Sequence, residues 1–137
     1  MANKIVKTVY GAPEKQILIA EDSYKVTLGA IIGNAGVQAD TNGKKIIKAG
    51  SPLYGSYESR GSSSAFDLAT ETPESEGTPA SNNATAILLH DLDVTAGDEN
   101  GTIVIAGVVD LNKLDSSVQT LLTTAAKANL KHIIFIK

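Results

Sequence analysis

Residues 84–113 contain two apolar runs with a turn-rich break between them, and this pattern restricts the fold more than any other in the chain. Ala86, Ile87, Leu88 and Leu89 form a run of strand length, and Thr102 to Leu111 (TIVIAGVVDL) form a second, rich in β-branched residues. The intervening Thr95-Ala96-Gly97-Asp98-Glu99-Asn100-Gly101 is dense in turn formers. Apolar, β-branched runs on either side of such a segment predict a β-hairpin with a longer loop. Gly107, inside the second run, predicts a bulge or a close backbone approach. The hairpin should form the centre of the core.

A chain of 137 residues is expected to fold as one domain with a substantial hydrophobic core. Aromatic residues make up only 4% and tryptophan is absent, so that core must be built from Ile, Leu, Val and Ala. The net charge of −3, with scattered lysines, gives no basic footprint for a nucleic acid. Without cysteine there is no disulfide, thiol nucleophile or thiolate metal site. No apolar run approaches the ~18 residues of a membrane-spanning helix. The first fifteen residues, MANKIVKTVYGAPEK, have no apolar central region of the kind a secretory signal needs, so folding where the chain is made is expected.

Within 1–15, Ile5, Val6, Val9 and Tyr10 stand singly among lysines, a pattern too short to bury a face alone. It fits either an edge strand or an arm ordered against a partner. Ile17 to Ala20 form a short apolar run, and Tyr24 to Leu28 alternate before Ala30-Ile31-Ile32. The Asn42-Gly43 pair predicts a tight turn before a strand at Lys45 to Lys48, which Ala49-Gly50-Ser51-Pro52 stops. From residue 56 to 83 Ser, Thr, Gly, Pro and Glu dominate, with five acids against the single base Arg60. This predicts a long exposed acidic loop, tacked down by Phe66 and Leu68. Ser116 and Gln119 have capping-box spacing, and Val118, Leu121, Leu122, Ala125 and Ala126 lie on one helical face, so one helix running to about Asn129 is expected. Ile133 to Ile136 read as a final strand. The predicted fold is mainly β with one helix: a small antiparallel barrel or sandwich closed by that helix.

His90-Asp91-Leu92-Asp93-Val94-Thr95 is the most tempting chemical motif. An apolar run followed by Asp-x-Asp-x-Thr is similar to the nucleophile motif of haloacid-dehalogenase-type phosphatases, but those need a helix after it, where this chain has a turn and a strand. Asp91, Asp93, Thr95 and Asp98 could supply oxygen ligands to calcium. The glycine and glutamate expected at positions six and twelve of such a loop are replaced by Ala96 and Thr102. Acids marking a strand end and its turn is the favoured reading. The two histidines, His90 and His132, lack partners at zinc-ligand spacing and are expected as half-buried strand residues. No serine sits in a nucleophile elbow, and Gly29, Gly33 and Gly36 make no phosphate loop. No catalytic residue, cofactor or metal is expected, and the chain reads as a non-enzyme.

Three stretches taken in order, Ile46-Ile47-Lys48-Ala49-Gly50-Ser51-Pro52-Leu53, Ala84 to Thr95 and Gly101 to Leu111, resemble the head decoration, or capsid cement, proteins of tailed bacteriophages. Members of that family carry in the same order a K-A-G-x-P-L turn, an A-x-x-I-L-L-x-D-V-D strand, a G-x-V-x strand and a helix. The resemblance covers roughly residues 44–137. It implies a small β-rich domain with a short helix (a β-tulip), acting as a structural virion protein on the outer surface of the expanded capsid. Trimers at three-fold and quasi-three-fold positions, contact with the major capsid protein, and assembly in the host cytoplasm without nucleic acid or membrane are further implications. Within the family's pattern, residues 1–15 would form the capsid-binding arm, with Ile5, Val6, Val9 and Tyr10 as its apolar contacts. A small β adhesion or carbohydrate-binding module on a virion or cell surface is the alternative, and scarce aromatic residues argue against it.

Overall fold

A computed structural model describes residues 16–20, 24–63 and 65–137. Ten strands and two short helices follow one another: β1 (Lys25–Ile32), β2 (Ile46–Ile47), β3 (Pro52–Gly55), β4 (Phe66–Leu68), β5 (Glu71–Thr72), β6 (Ser81–Asn82), β7 (Ala86–Leu88), β8 (Leu92–Asp93), β9 (Glu99–Asp110), α1 (Ser116–Leu121), α2 (Thr124–Asn129) and β10 (Ile133–Ile136). A single 3₁₀ turn, Leu111–Lys113, joins β9 to α1.

The expected hairpin is the hub. β7 pairs antiparallel with β9 through Ile87–Val104 and Leu88–Ile103. Pairing runs β1-β4-β3-β7-β9, and β9 also pairs with β1, so five strands close into a ring. Closure leaves those five strands little free edge. β10 stands outside the ring, on the C-terminal half of β9. The pairing is mainly antiparallel, as expected, and two pairings, β1–β4 and β9–β10, are parallel. For β10 the reason is the connection: the two helices carry the chain back to the middle of β9, and the strand re-enters in the same direction.

β7 shows why its run is apolar without interruption. Ala86 and Leu88 face a core inside the ring with Ile32, Leu53, Phe66 and Ile103, whereas Ile87 and Leu89 join a second core beneath the helices with Val104, Leu122 and Leu130. Both faces of the strand are covered, so no alternation appears. Near Gly107 the pairing with β1 slips by one residue: Val26 meets Ala106 while Thr27 meets Val104, leaving Ile105 as the extra residue. At Gly107 itself the Tyr24 carbonyl would lie 3.2 Å from an added Cβ. A bulge and a close approach both occur there.

The segment 56–83 differs from the loop expected of it. It supplies β4 to the ring, and Phe66 is fully buried there, its ring stacked 6.2 Å from that of Tyr57. It also folds a small hairpin, β5–β6, with Ser75 and Thr78 bridged near its tip. One buried phenylalanine anchors what composition alone read as structureless. The helix also departs from expectation. Asp115, not Ser116, caps α1, accepting from Ser117 N at 3.1 Å. The helix breaks at Leu122, and Thr123 caps α2, its hydroxyl accepting from Ala126 N at 3.1 Å. Val118, Leu122 and Ala126 remain buried across the break.

Candidate interaction surface

The acids of the Asp-x-Asp-x-Thr motif turn to the backbone. Asp91 accepts from Ala49 N at 2.7 Å, with Lys48 Nζ 3.9 Å away. Asp93 accepts from the Thr95 amide at 2.9 Å and the Thr95 hydroxyl at 2.5 Å. Those bonds from Thr95, the hydroxyl first, hold the Asp93 carboxyl below its ordinary pKa. Thr95 Oγ1 in turn accepts from Lys45 N at 2.8 Å. Asp98 is elsewhere, accepting from Ser63 Oγ at 2.5 Å. Of the four residues weighed as calcium ligands, Asp93 and Thr95 share one turn, while Asp91 serves Ala49 and Asp98 bonds Ser63. Among the described residues no three His, Asp or Glu side chains group as metal ligands would.

These turns hold together the stretches on which the family resemblance rests. Gly50 N donates to Leu88 O at 2.7 Å, and Leu88 N donates to Ser51 O at 3.1 Å. Gly50 takes a φ of 89°, and an added Cβ would lie 2.5 Å from a methyl of Leu114. The Ala49–Pro52 turn is thereby locked against the end of β7 and the start of the helical layer.

His90 is half-buried in the bend between β7 and β8, and His132 is exposed in the turn before β10, so neither lies within a strand as expected. Asp67 is shifted in the opposite direction from Asp93. Its partial burial raises its pKa, the Asp98 charge raises it further, and a bond from the Ala35 amide lowers it. Asp67 Oδ1 is buried with no hydrogen-bond partner among the described residues.

Open clefts among the described residues include the following pair. One, of about 360 Å³, lies between α1 and β2–β4 and is lined mainly by Val37, Ile46, Leu68, Val118 and Leu121. The other, of about 440 Å³, runs along β1 and β9 beside Arg60 and Asn100. Neither lining brings together an acid, a base and a nucleophile.

Exposed apolar side chains collect where the C-terminal half of β9 leaves the ring. Val26 sits opposite Ala106, and Ile134 opposite Val108, which places them with Ile136 on one face. Leu18 bridges to Val109 within the helix-side core, and Ile19 donates its N–H to Val108 O at 3.1 Å, which sets its exposed side chain beside the same stretch of β9. Ile134 is 60% exposed, Ile19 41%, Val26 38% and Ile136 37%. The opposite face of β10, Ile133 and Phe135, packs under the helices. Sequence reading missed this surface because Ile133-Ile134-Phe135-Ile136 is uniformly apolar and betrays no wet side. The arm residues expected from the resemblance, Ile5, Val6, Val9 and Tyr10, lie outside the described residues. No family model, no curated protein and no solved structure matches this chain.

Proposed function

We propose that the chain is a structural virion protein that binds the outer surface of an expanded phage head and stabilises it, with a binding and not a catalytic role. The observation that carries this reading is the group of exposed apolar side chains Ile19, Val26, Ile134 and Ile136 along the C-terminal half of β9. Grouped apolar exposure on a sheet face suits a protein contact, whereas small-molecule sites are concave with convergent polar groups. The resemblance of residues 44–137 to head decoration proteins names the partner class, the major capsid protein.

The mechanism needs no chemistry beyond mass action. A protein that binds the expanded lattice and not its precursor stabilises it by RT ln(1 + [L]/Kd) at each site. Many sites on one shell add these contributions. Three copies around a three-fold axis would meet through heterologous interfaces that close into a ring. The first fifteen residues would add a strand to the shell, with main-chain bonds giving affinity and Ile5, Val6, Val9 and Tyr10 giving side-chain contacts.

The test is electron microscopy and thermal disruption of expanded heads with and without the protein. Ordered density on the outer surface and a higher disruption temperature are expected. Deleting residues 1–15 should weaken attachment while leaving the melting of the free protein unchanged. Bare heads at saturating protein would end this reading. A carbohydrate-binding module is the second reading, favoured by Tyr54, which is exposed directly across from Asp67 on the outside of the ring. Glycan-dependent binding abolished by Tyr54→Ala would support it instead.

A further inference from the structure

The geometry points to the outer edge of β10 as an acceptor for an extended apolar strand with acidic flanks, supplied by another protein. β10 ends the strand order, with β9 as its pairing partner among the described residues. Gly107 N donates to His132 O at 3.2 Å, and Ile133 N turns the other way, to Leu130 O at 3.1 Å. Successive peptide groups alternate in direction along a strand, so the N–H and C=O of Phe135 point away from β9, toward the open edge. An edge of this kind is a template for one more strand.

Two features fix the chemistry of the occupant. Ile134 and Ile136 are exposed on the face beside the edge, so an added strand that places apolar residues there extends a surface that is already dry on one side. Three basic groups frame the edge against one acid: Lys131 precedes β10, Lys137 follows it and Lys127 lies 5.8 Å over the Phe135 ring, while Asp110 sits opposite Ile136 on the inner neighbour β9. Lys131 and Lys137 form no ion pair among the described residues. In a chain of net charge −3 this is a local positive rim, and it selects acids at both ends of the incoming strand. The same rim disfavours a second copy of β10. Two β10 strands paired antiparallel would bring the Lys131 end of one against the Lys137 end of the other, and like charges facing each other across a strand pair are destabilising. The edge shares Ile134 and Ile136 with the face proposed for the capsid contact, but its test needs no heads, so either reading can fail without the other.

The probe is an eight-residue peptide, Glu-Val-Thr-Val-Thr-Val-Thr-Glu, added to the full-length protein while amide exchange is followed by NMR. In the free protein the Phe135 amide should exchange rapidly. A dissociation constant on the order of 1 mM is expected of so short a strand. At five times that concentration about one-sixth of the protein is unbound, so exchange at Phe135 should slow roughly sixfold. The same peptide N-methylated on alternate residues should bind at least about tenfold more weakly, because it lacks the donors for a ladder. A version with lysine in place of both glutamates should lose a few-fold, as rim charges do. Ile134→Glu, at an exposed position, should weaken binding of the acidic peptide with melting unchanged. The proposal is overturned if Phe135 is already protected in the free monomer, or if the N-methylated peptide binds equally well. Absence of protection at 5 mM peptide, or concentration-dependent dimerisation that itself protects Phe135, would equally overturn it.

Discussion

Strand β9 runs through two regions of the molecule that treat it differently. Its N-terminal half lies in the closed ring, with β1 on one side and β7 on the other. There Ile103 faces the ring interior and Val104 the helix-side core, and both are fully buried. Its C-terminal half has left the ring. It is flanked by β10 and by the short segment around Leu18, and it is covered by helices on one face alone. The same aliphatic residues therefore act as core in one place and as surface in the other. The cover over a residue, and not its type, decides whether it holds the fold or remains free for a partner.

Truncation should expose that difference most strongly. Leu88, 1% exposed in the ring core, should cost about 2–5 kcal/mol on replacement by alanine, through lost burial and the cavity left behind. Ile134→Ala, outside the ring, should stay within about 0.5 kcal/mol of wild type. Chemical denaturation of the two variants makes the comparison. Equal losses would mean that the outer face of β10 is as well covered as the ring interior, and the distinction between the two regions would collapse.

How far the sequence discloses this division follows from what local patterns can carry. The β7–β9 hairpin is legible because two β-branched runs flank a turn-rich segment, and that signal is local. β4 is not, since Phe66 and Leu68 sit among serines, threonines and acids, and their burial depends on strands distant in sequence. The parallel entry of β10 is illegible for a related reason: an apolar tetrapeptide reads the same in either direction. The helix break has a trace in Thr123-Thr124, a β-branched pair able to cap, but the apolar spacing runs across it. The exposed face was hidden by the uniformity of Ile133 to Ile136, and two-sided burial in β7 produces the same uniformity. The Asp-x-Asp-x-Thr motif was legible as turn chemistry, because short acids beside a strand end find backbone amides.

The turn acids sharpen the comparison at an intermediate scale. Asp91 bonds the amide of Ala49, a residue 2% exposed at the junction of ring and helical layer. Asp91→Ala should leave that donor without a partner and cost about 1–3 kcal/mol. Asp93 bonds the exposed Thr95, whose groups water can serve instead, so Asp93→Ala should cost less than Asp91→Ala. The reverse order in urea melts would show that the exposed turn, and not the junction, carries the stability.

Gly50 tests the same junction through the backbone. At a φ of 89° an alanine is strained, and its methyl would press on Leu114. Gly50→Ala should destabilise by about 1–2 kcal/mol, whereas Gly43→Ala, also at positive φ but with open space around it, should lose only the backbone strain of about 1 kcal/mol. Thermal melts of the pair separate crowding from conformation. If both variants lose the same amount, Leu114 yields without cost and the turn is less tightly locked than its contacts imply.

The smallest effect should come from Asp67, and it carries the opposite sign. This carboxyl lies on β4, in the wall of the ring, with one oxygen buried and the charge of Asp98 nearby. Burial, then that charge, raises its pKa above the ordinary 3.8. The folded state therefore binds this proton more tightly than the unfolded chain does. At neutral pH the ionised group detracts from stability. As pH falls through the raised value toward 3.8 the penalty is relieved, and below that it no longer changes. Asp67→Asn keeps the shape of the neutral acid and can still accept from the Ala35 amide. The variant should melt slightly above wild type at pH 7, and its advantage should vanish near pH 3. The partly solvated setting keeps the gain small, so differential melting across the pH range is the measurement. An advantage that persists at pH 3 would mean that the asparagine gains by packing or a new hydrogen bond. A variant less stable than wild type at pH 7 would mean that the ionised carboxylate is a net support of the ring wall, and the electrostatic account of this site would fail.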